Sequence, residues 1–499
     1  MRYAILDCYT DEPAGLGVPP YLGTYPRYLA GALSMQGHEV FYLTIDDLRL
    51  FKYYHSRAPQ QRMKTNIRIR NISPNFKLIE NILGTIHELI VVAGIHVPGK
   101  YLSAIPGVLP EIVSLLQDVK CRKVLTGPAG SVHGSRLEGG KHAEKADLSI
   151  FDEINENYLE INNYLKVEEY AWRGAFIVKQ HPCYPDFLMA EIETGRGCKT
   201  ATCSFCVEPF KKLQYRPADG VLMEIKALYE LGVRNFRYGK QTCFYSYMNG
   251  DVAAIEKLLK GARELCPEIK TLHIDNVNPI SVVGPKGSEI TKLIVEYCTP
   301  GNVAAFGVES FDRKVVKENT LNCMPEVAYK AIKIINQYGA EKGYNGMPKF
   351  LPGINIIFGL KGESRHTNEE NMLWLKRFLD EGLQLRRINI RQVAVLPGTT
   401  LGDDPKGGRE LRKNKRFYWS WRKQIRKEID LPMLRKVFPK GTILADIGME
   451  IYDGNHTFGR QPGTYPLVVG VNKRVDLGRF YSVKITEHML RSVTAEVLA

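Results

Sequence analysis

The sequence predicts an α/β protein in three folded parts. These are an N-terminal Rossmann-like domain with a doubly wound parallel sheet, a central partial or full β/α barrel, and a small C-terminal β-barrel. Three observations predict it. Buried apolar strand runs alternate with helical spacing over residues 1–150, the pattern of a parallel sheet covered on both faces. The alternation resumes over 186–400, on the scale of a β/α barrel with chemistry at the strand carboxyl ends. Beyond 441 only strand-like alternation remains. The expected boundaries are 1–152, a linker at 153–185, 186–401, a basic helical connector at 402–440, and 441–499.

In the first part, Tyr3-Ala-Ile-Leu, Glu39-Val-Phe-Tyr-Leu-Thr, Leu89-Ile-Val-Val-Ala and Lys123-Val-Leu-Thr read as strands, with helices over 28–35 and near 107–118. Residues 50–80 are polar and basic and give no clear periodicity. Ligands on a doubly wound sheet sit at the strand carboxyl ends. Three loops converge there: 9–25, 94–101 and 126–134. In the second part, strands are expected at Asn235-Phe-Arg-Tyr-Gly, Thr271-Leu-His-Ile-Asp, Val303-Ala-Ala-Phe-Gly-Val, Gly353-Ile-Asn-Ile-Ile-Phe-Gly and Arg387-Ile-Asn-Ile-Arg-Gln. Helical spacing lies at 218–231, 251–265, 286–298, 325–338 and 367–381. At the end, Thr464–Val471, Gly478–Thr486 and Ser492–Leu498 read as consecutive strands.

Composition limits the class. A chain of 499 residues with 44% hydrophobic and 24% charged content is that of a soluble globular protein of several domains. No run of about 18 apolar residues is present, so no membrane span and no membrane partner are expected. The first strand follows Met1 directly, with no basic and apolar leader. Ten cysteines without an export signal point to reduced thiols in the cytoplasm. Net charge is +14, which suits either a polyanionic partner or a generally basic surface. Part of it lies in Lys406-Gly-Gly-Arg-Glu-Leu-Arg-Lys-Asn-Lys-Arg and Arg422-Lys-Gln-Ile-Arg-Lys, interleaved with Phe417, Tyr418, Trp419 and Trp421. That stretch reads as a nucleic-acid face or as an amphipathic helix with snorkelling stems.

The chemistry-bearing stretch is 193–210. Glu193-Thr-Gly-Arg-Gly leads into Cys198, Cys203 and Cys206, a C-x4-C-x2-C run with Phe205 before its last cysteine. Three clustered thiolates suit zinc or an iron–sulfur cluster. A closed zinc site wants a fourth ligand near by, and the next cysteine is Cys243. Three ligands instead suit a [4Fe–4S] cluster with one open iron.

This loop resembles that of the radical S-adenosylmethionine (SAM) enzymes, whose usual spacing, C-x3-C-x2-C, is one residue shorter. In that family the open iron binds the amino and carboxylate groups of SAM. The resemblance extends to strand ends that follow in the same order. Gly239, Lys240 and Gln241 stand where the family holds the methionine part of SAM. Asp275 and Asn276, then Glu309 and Ser310, follow the third and fourth strands, where polar side chains hold ribose and carboxylate groups. Gly359-Leu-Lys-Gly-Glu-Ser is similar to the family's Gly-Leu-Pro-Gly-Glu-Thr turn, with Lys361 in place of Pro.

The N-terminal domain resembles the cobalamin-binding domain that precedes many radical SAM domains. The matching residues are Tyr9 and Thr10; Gly15, Gly17, Val18, Pro19, Tyr21, Gly23 and Thr24; Gly94 and His96; and Gly127, Pro128, Ala129 and Gly130. Glycines there would let backbone approach a flat corrin. The D-x-H-x-x-G motif that places a His on cobalt is absent, so the resemblance implies cobalamin without that ligand. A Rossmann-like domain that binds something else stays open. The C-terminal strands resemble a TRAM domain, an OB-like RNA-binding barrel, and a structural cap is the other reading.

The order of the whole chain resembles the cobalamin-dependent (class B) radical SAM methyltransferases, and among them the methanogen family that includes the glutamine C-methyltransferase of methyl-coenzyme M reductase. That resemblance implies a [4Fe–4S] cluster, SAM and methylcobalamin as cofactors. It implies methylation of an unactivated carbon after hydrogen abstraction, as a post-translational modification of the reductase alpha subunit. It also implies an electron donor such as ferredoxin. The alternative is a radical SAM methyltransferase or methylthiotransferase acting on transfer RNA. Methylthiotransferases carry three more cysteines in their first domain. Residues 1–150 here hold only Cys8 and Cys121.

Overall fold

The computed structural model describes residues 1–9, 21–55, 69, 71–94, 105–131 and 146–498. The chain divides into two compact units. One comprises Met1–Glu193, Arg216–Phe236 and Glu264–Ile269; the other comprises Thr194–Tyr215, Arg237–Arg263 and Lys270–Ala499. Among the described residues no helix is long and apolar enough to cross a membrane.

The first unit is built on a five-stranded sheet of order Glu39–Thr44, Arg2–Asp7, Glu88–Val92, Arg122–Thr126, Glu153–Ile154. Every pairing in it is parallel. In chain order this is 2-1-3-4-5, the flavodoxin-like doubly wound arrangement, with its switch point between Arg2–Asp7 and Glu88–Val92. Burial on both faces explains the continuous apolar runs: Ala4, Ile5, Leu6, Leu89, Ile90 and Val91 are all fully buried. The helix Ile45–Tyr53 starts on a capping box, in which Thr44 accepts from the Asp47 backbone and the Asp47 carboxylate accepts from the Thr44 backbone.

The segment expected as a linker, 153–185, is built into this unit. Its helix Tyr164–Arg173 crosses the helix Thr24–Met35 so closely that a Cβ at Gly31 would lie 2.0 Å from the Tyr170 carbonyl oxygen. Beside that crossing Arg27 donates to the carbonyls of Leu22 and Gly23, both at 2.9 Å, and to Glu224. Arg216 takes the other Glu224 oxygen and Glu168. Both arginines and Glu224 are fully buried. Removing one partner of such a set costs about 3–5 kcal/mol because it leaves a buried charge uncompensated. The sequence concealed the arrangement because Arg27 and Glu224 lie 197 residues apart.

The second unit holds a parallel sheet of order Asn276–Val277, Asn302–Glu309, Phe350–Phe358, Arg387–Gln392. The helices Gly287–Tyr297, Pro325–Gly339 and Arg365–Asp380 connect its strands. Ile354, Ile356, Phe358, Ile388 and Ile390 are buried on one face, while Asn355, Asn389 and Arg391 alternate onto the other. Helix Arg409–Ile425 buries Leu411, Asn414, Tyr418, Trp421 and Ile425, a helical spacing of three and four. The aromatic residues of the basic stretch are therefore split. Trp421 packs on Phe358 with ring centroids 5.3 Å apart, and Trp419 stays 65% exposed.

The C-terminal strands close into a five-stranded barrel of order Ile443–Asp453, His456–Arg460, Val468–Val471, Ser492–Val497, Phe480–His488. Three of these were expected from the sequence. The first escaped because its register shifts between Met449 and Ile451, which breaks the period-two pattern.

Candidate functional site

The cysteine loop is closed at its base and tied along its length. Gly195–Arg196 pairs antiparallel with Gln214–Tyr215. Gly197 has φ 79°, and a Cβ there would lie 2.9 Å from the Leu213 backbone, so only glycine fits. Ser204 donates its backbone N–H to the Asn319 carbonyl at 3.0 Å and its hydroxyl to Asn319 Oδ1 at 2.9 Å. Thr202 donates to the Thr320 carbonyl at 3.0 Å, and Asn322 donates to Thr200 at 2.7 Å. The long first spacing takes a left-handed turn at Ala201, φ 49°. Phe205 and Cys203 pack on the apolar cluster of Val315, Leu321, Leu360 and Leu411.

All three thiols line one cavity of about 790 Å³, together with Phe205, Asn276 and Glu309. Burial pushes the Cys203 thiol up to about 12 and the Cys206 thiol up to about 11. Such thiols stay protonated in the bare protein and lose their protons to a metal, which deprotonates a coordinating thiol outright. Three soft donors along one cavity wall fit a multi-iron cluster.

Glu309 is the most unusual group in the cavity. It is a non-glycine residue at φ 65°, on a bulge between Gly307 and Glu309. Its Oε2 is buried with no hydrogen-bond partner. Burial pushes its carboxyl up to about 8, against the opposing pull of Arg391. A strained backbone and an unpartnered buried carboxylate oxygen thus coincide at one residue of the cavity lining.

The other expected SAM-binding residues divide. Asn276 lines the cavity and donates to the Gln241 carbonyl at 3.2 Å. Gly239 ends a strand, Lys240 turns the chain with φ 62°, and the buried Gln241 Oε1 has no partner. Asp275 does not face the cavity: Arg237 and the Tyr465 hydroxyl take its two oxygens. Ser310 accepts from the Asp312 backbone at 3.1 Å. Gly359 packs on Leu411, where a Cβ would lie 2.7 Å from its side chain. Thr242 and Asn278, the last residues of Gly239-Lys-Gln-Thr and Asp275-Asn-Val-Asn, line the cavity too, as do Tyr245, Asn249, Ser281 and Asn355, which the sequence did not single out. Asn278 caps the helix Pro279–Val282, a signal the sequence does carry. Tyr245 and Asn249 come from a 3₁₀ segment broken at Tyr247 and Met248, which has no period to read.

In the first unit, Gly94 follows the strand Glu88–Val92 and Gly127 follows Arg122–Thr126, both at the carboxyl edge of the sheet. Gly127 has φ 87°, and a Cβ would meet the Ala93 carbonyl oxygen at 2.7 Å. Pro128, Ala129 and Gly130 open the short helix Pro128–Ser131. Tyr9 turns inward instead, its ring on the core and its hydroxyl on the Asn71 carbonyl. Tyr21 pairs with Met189 in a two-residue strand, and Gly23 and Thr24 begin the helix Thr24–Met35. Thr10, Gly15, Gly17, Val18, Pro19 and His96 lie outside the described residues.

No protein-family model matches the chain. It is 42% identical to an uncharacterized protein of Methanocaldococcus jannaschii, over 100% of this chain and 93% of the relative. It is 39% identical to an uncharacterized protein of Archaeoglobus fulgidus, over 99% and 90%. The chain belongs to this archaeal protein family. Among solved structures it is similar to the radical SAM methyltransferase TsrM of Kitasatospora setae, with TM-score 0.47, 13% identity, and coverage of 80% of this chain and 75% of that one. It is also similar to OxsB, a cobalamin-dependent SAM radical enzyme, with TM-score 0.44, 12% identity, and coverage of 84% and 56%.

Proposed function

We propose that this protein is a cobalamin-dependent radical SAM enzyme that methylates an unactivated carbon. One observation carries the reading: Cys198, Cys203 and Cys206 share a cavity with Glu309, whose Oε2 is buried without a hydrogen-bond partner. The cysteines hold a [4Fe–4S] cluster by three corners, and the cavity volume suits a nucleoside-sized ligand beside it. When bound, the cluster supplies an electron to SAM and cobalamin supplies a methyl group. The protein's own part is positioning and exclusion of water. Glu309, protonated near pH 7, offers one donor and one acceptor to ribose hydroxyls. Asn276 and Asn278 line the same cavity, and Phe205 packs on the apolar cluster that holds Leu321.

Cobalamin is assigned to the carboxyl edge of the first unit's sheet, beside the switch point, where Gly94 and Gly127 follow neighbouring strands. Its support is the 2-1-3-4-5 strand order and the resemblance stated above. The more specific form of the proposal, methylation of a glutamine in methyl-coenzyme M reductase, rests on that resemblance. A second reading, transfer RNA as substrate, is favoured by the exposed Trp419 with Arg422 at 5.2 Å from its ring. The test is anaerobic incubation of the reconstituted chain with SAM, cobalamin, reductant and a glutamine-containing peptide of the reductase. The proposal expects 5′-deoxyadenosine and S-adenosylhomocysteine together with a gain of about 14 Da, one methylene. Methylation of host transfer RNA with the peptide untouched transfers the proposal to RNA. Absence of 5′-deoxyadenosine with either substrate overturns the radical SAM reading.

A further inference from the structure

We propose that the carboxyl end of the second unit's parallel sheet holds a carboxylate station for the substrate, with Arg391 as its charged member. The inference rests on the reading of the same cavity given above. Asn355 lines that cavity. Its in-register neighbour on the next strand is Asn389, and the two side-chain amides lie 3.0 Å apart. Arg391 follows two residues later on the same face of the strand. With both amides turned, the Asn389 oxygen accepts from the Asn355 amide N–H at 3.0 Å and lies 2.9 Å from Arg391 Nε and 3.2 Å from Nη2. A run of amides therefore leads from the cavity wall to a guanidinium and fixes one edge of it. Amides neutralise none of its charge.

Charge counting around the sheet leaves that guanidinium uncompensated. Arg237 and Asp275 cancel each other. Arg387, on the same face but at the other end of the strand opposite Gly353, stacks on Tyr465 at 4.2 Å. Burial pushes Arg387 down to about 10, and Arg491, Arg391 and Arg426 push the same way, so positive charge is in excess here. Glu309 feels Arg391 but is not ion-paired with it, and among the described residues no carboxylate pairs with Arg391. A half-buried cation without a counter-ion is costly, and a ligand that supplies one relieves the cost. A guanidinium fork matches a planar carboxylate by two parallel hydrogen bonds. A single cation with Glu309 beside it suits one negative charge better than the two of a phosphate. The substrate is therefore a molecule with a carboxylate, which an internal glutamine of a protein lacks, so the station speaks against the glutamine form of the proposal above and for the same chemistry on an acid. SAM carries the same chemical group, so the test separates the two sources.

The full-length chain is titrated by calorimetry with N-acetylglutamate, N-acetylglutamine, inorganic phosphate and SAM. Wild type, Arg391→Gln and Arg391→Lys are compared, and iron is measured on each reconstituted preparation. Wild type is expected to prefer N-acetylglutamate to N-acetylglutamine by about tenfold, the worth of a charge-assisted over a neutral hydrogen bond. Arg391→Gln loses the preference, Arg391→Lys keeps part of it, and SAM affinity stays within about twofold. Equal binding of acid and amide by wild type, or a preference that survives Arg391→Gln, overturns the proposal. Loss of SAM affinity in Arg391→Gln assigns the guanidinium to SAM and overturns it as well. Phosphate binding as tight as that of N-acetylglutamate overturns the choice of carboxylate. If Arg391→Gln fails to fold, Arg391→Lys decides, and full wild-type preference in it counts against the bidentate station. A chain that selects the acid yet holds no iron keeps this station and loses the radical SAM reading.

Discussion

Tyr465 donates its hydroxyl to one oxygen of the Asp275 carboxylate, and Arg237 takes the other. Burial of Tyr465 pushes its hydroxyl far above the ordinary value, with Asp275 acting in the same direction, so the phenol stays a donor at every working pH. A loop residue of the C-terminal barrel thus completes a buried ion pair beside the central sheet. Tyr465→Phe leaves Asp275 Oδ1 unsatisfied. The expected loss of stability is about 1–3 kcal/mol, read as a lower thermal midpoint with iron content unchanged. An unchanged midpoint would show that the hydroxyl contributes nothing.

Glu309 gives the cofactor-free protein a pH signature. Its folded value, about 8, lies above the ordinary 4.5. Between those values the folded form keeps a proton that the unfolded form has released. The stability due to this group is therefore full below about pH 4.5 and is lost as pH rises through about 8. Glu363, pushed up to about 7 by burial, acts in the same direction. Glu309→Gln should flatten the decline without abolishing it, and the variant should be the more stable protein at pH 8.5. Parallel stability curves for the two proteins would contradict the assignment.

The expected location of the chemistry was legible because Cys198, Cys203 and Cys206 lie within nine residues and need no fold to be recognised. The strands of the central sheet were legible for a different reason: Ile354 and Ile356, Ile388 and Ile390 alternate with polar residues on a half-buried surface. Asp275 shows where such reading stops. A carboxylate after a strand looks available until the fold brings Tyr465 to it from 190 residues away. Tyr9 was likewise read as a loop residue, whereas its ring packs on the first unit's core. The orphaned state of Glu309 and the Asn355–Asn389–Arg391 run depend on strand register, which no local pattern displays.

Replacing Cys198, Cys203 and Cys206 together with Ala should remove bound iron and the broad absorbance near ~400 nm of a thiolate-bound cluster. Iron retained at about four per chain in that variant would place the cluster elsewhere. Stoichiometric zinc in the unsubstituted protein would support the zinc reading instead.

Residues 1–150 contain no D-x-H-x-x-G motif. Cobalamin bound to this chain should therefore give a Co(II) paramagnetic resonance spectrum without the nitrogen splitting of a coordinated imidazole. Splitting that persists with cobinamide, which lacks cobalamin's own nucleotide base, would refute that expectation. Failure to bind cobalamin at all would remove methyl transfer from the proposed chemistry.

The open iron is the central claim, and paramagnetic resonance of the reduced, reconstituted chain tests it most directly. Spectra are recorded before and after addition of SAM. A cluster held by Cys198, Cys203 and Cys206 alone leaves one iron for SAM, so the signal should shift when SAM is added. An iron–sulfur signal that SAM leaves unchanged, or no such signal from the reconstituted protein, would contradict the account.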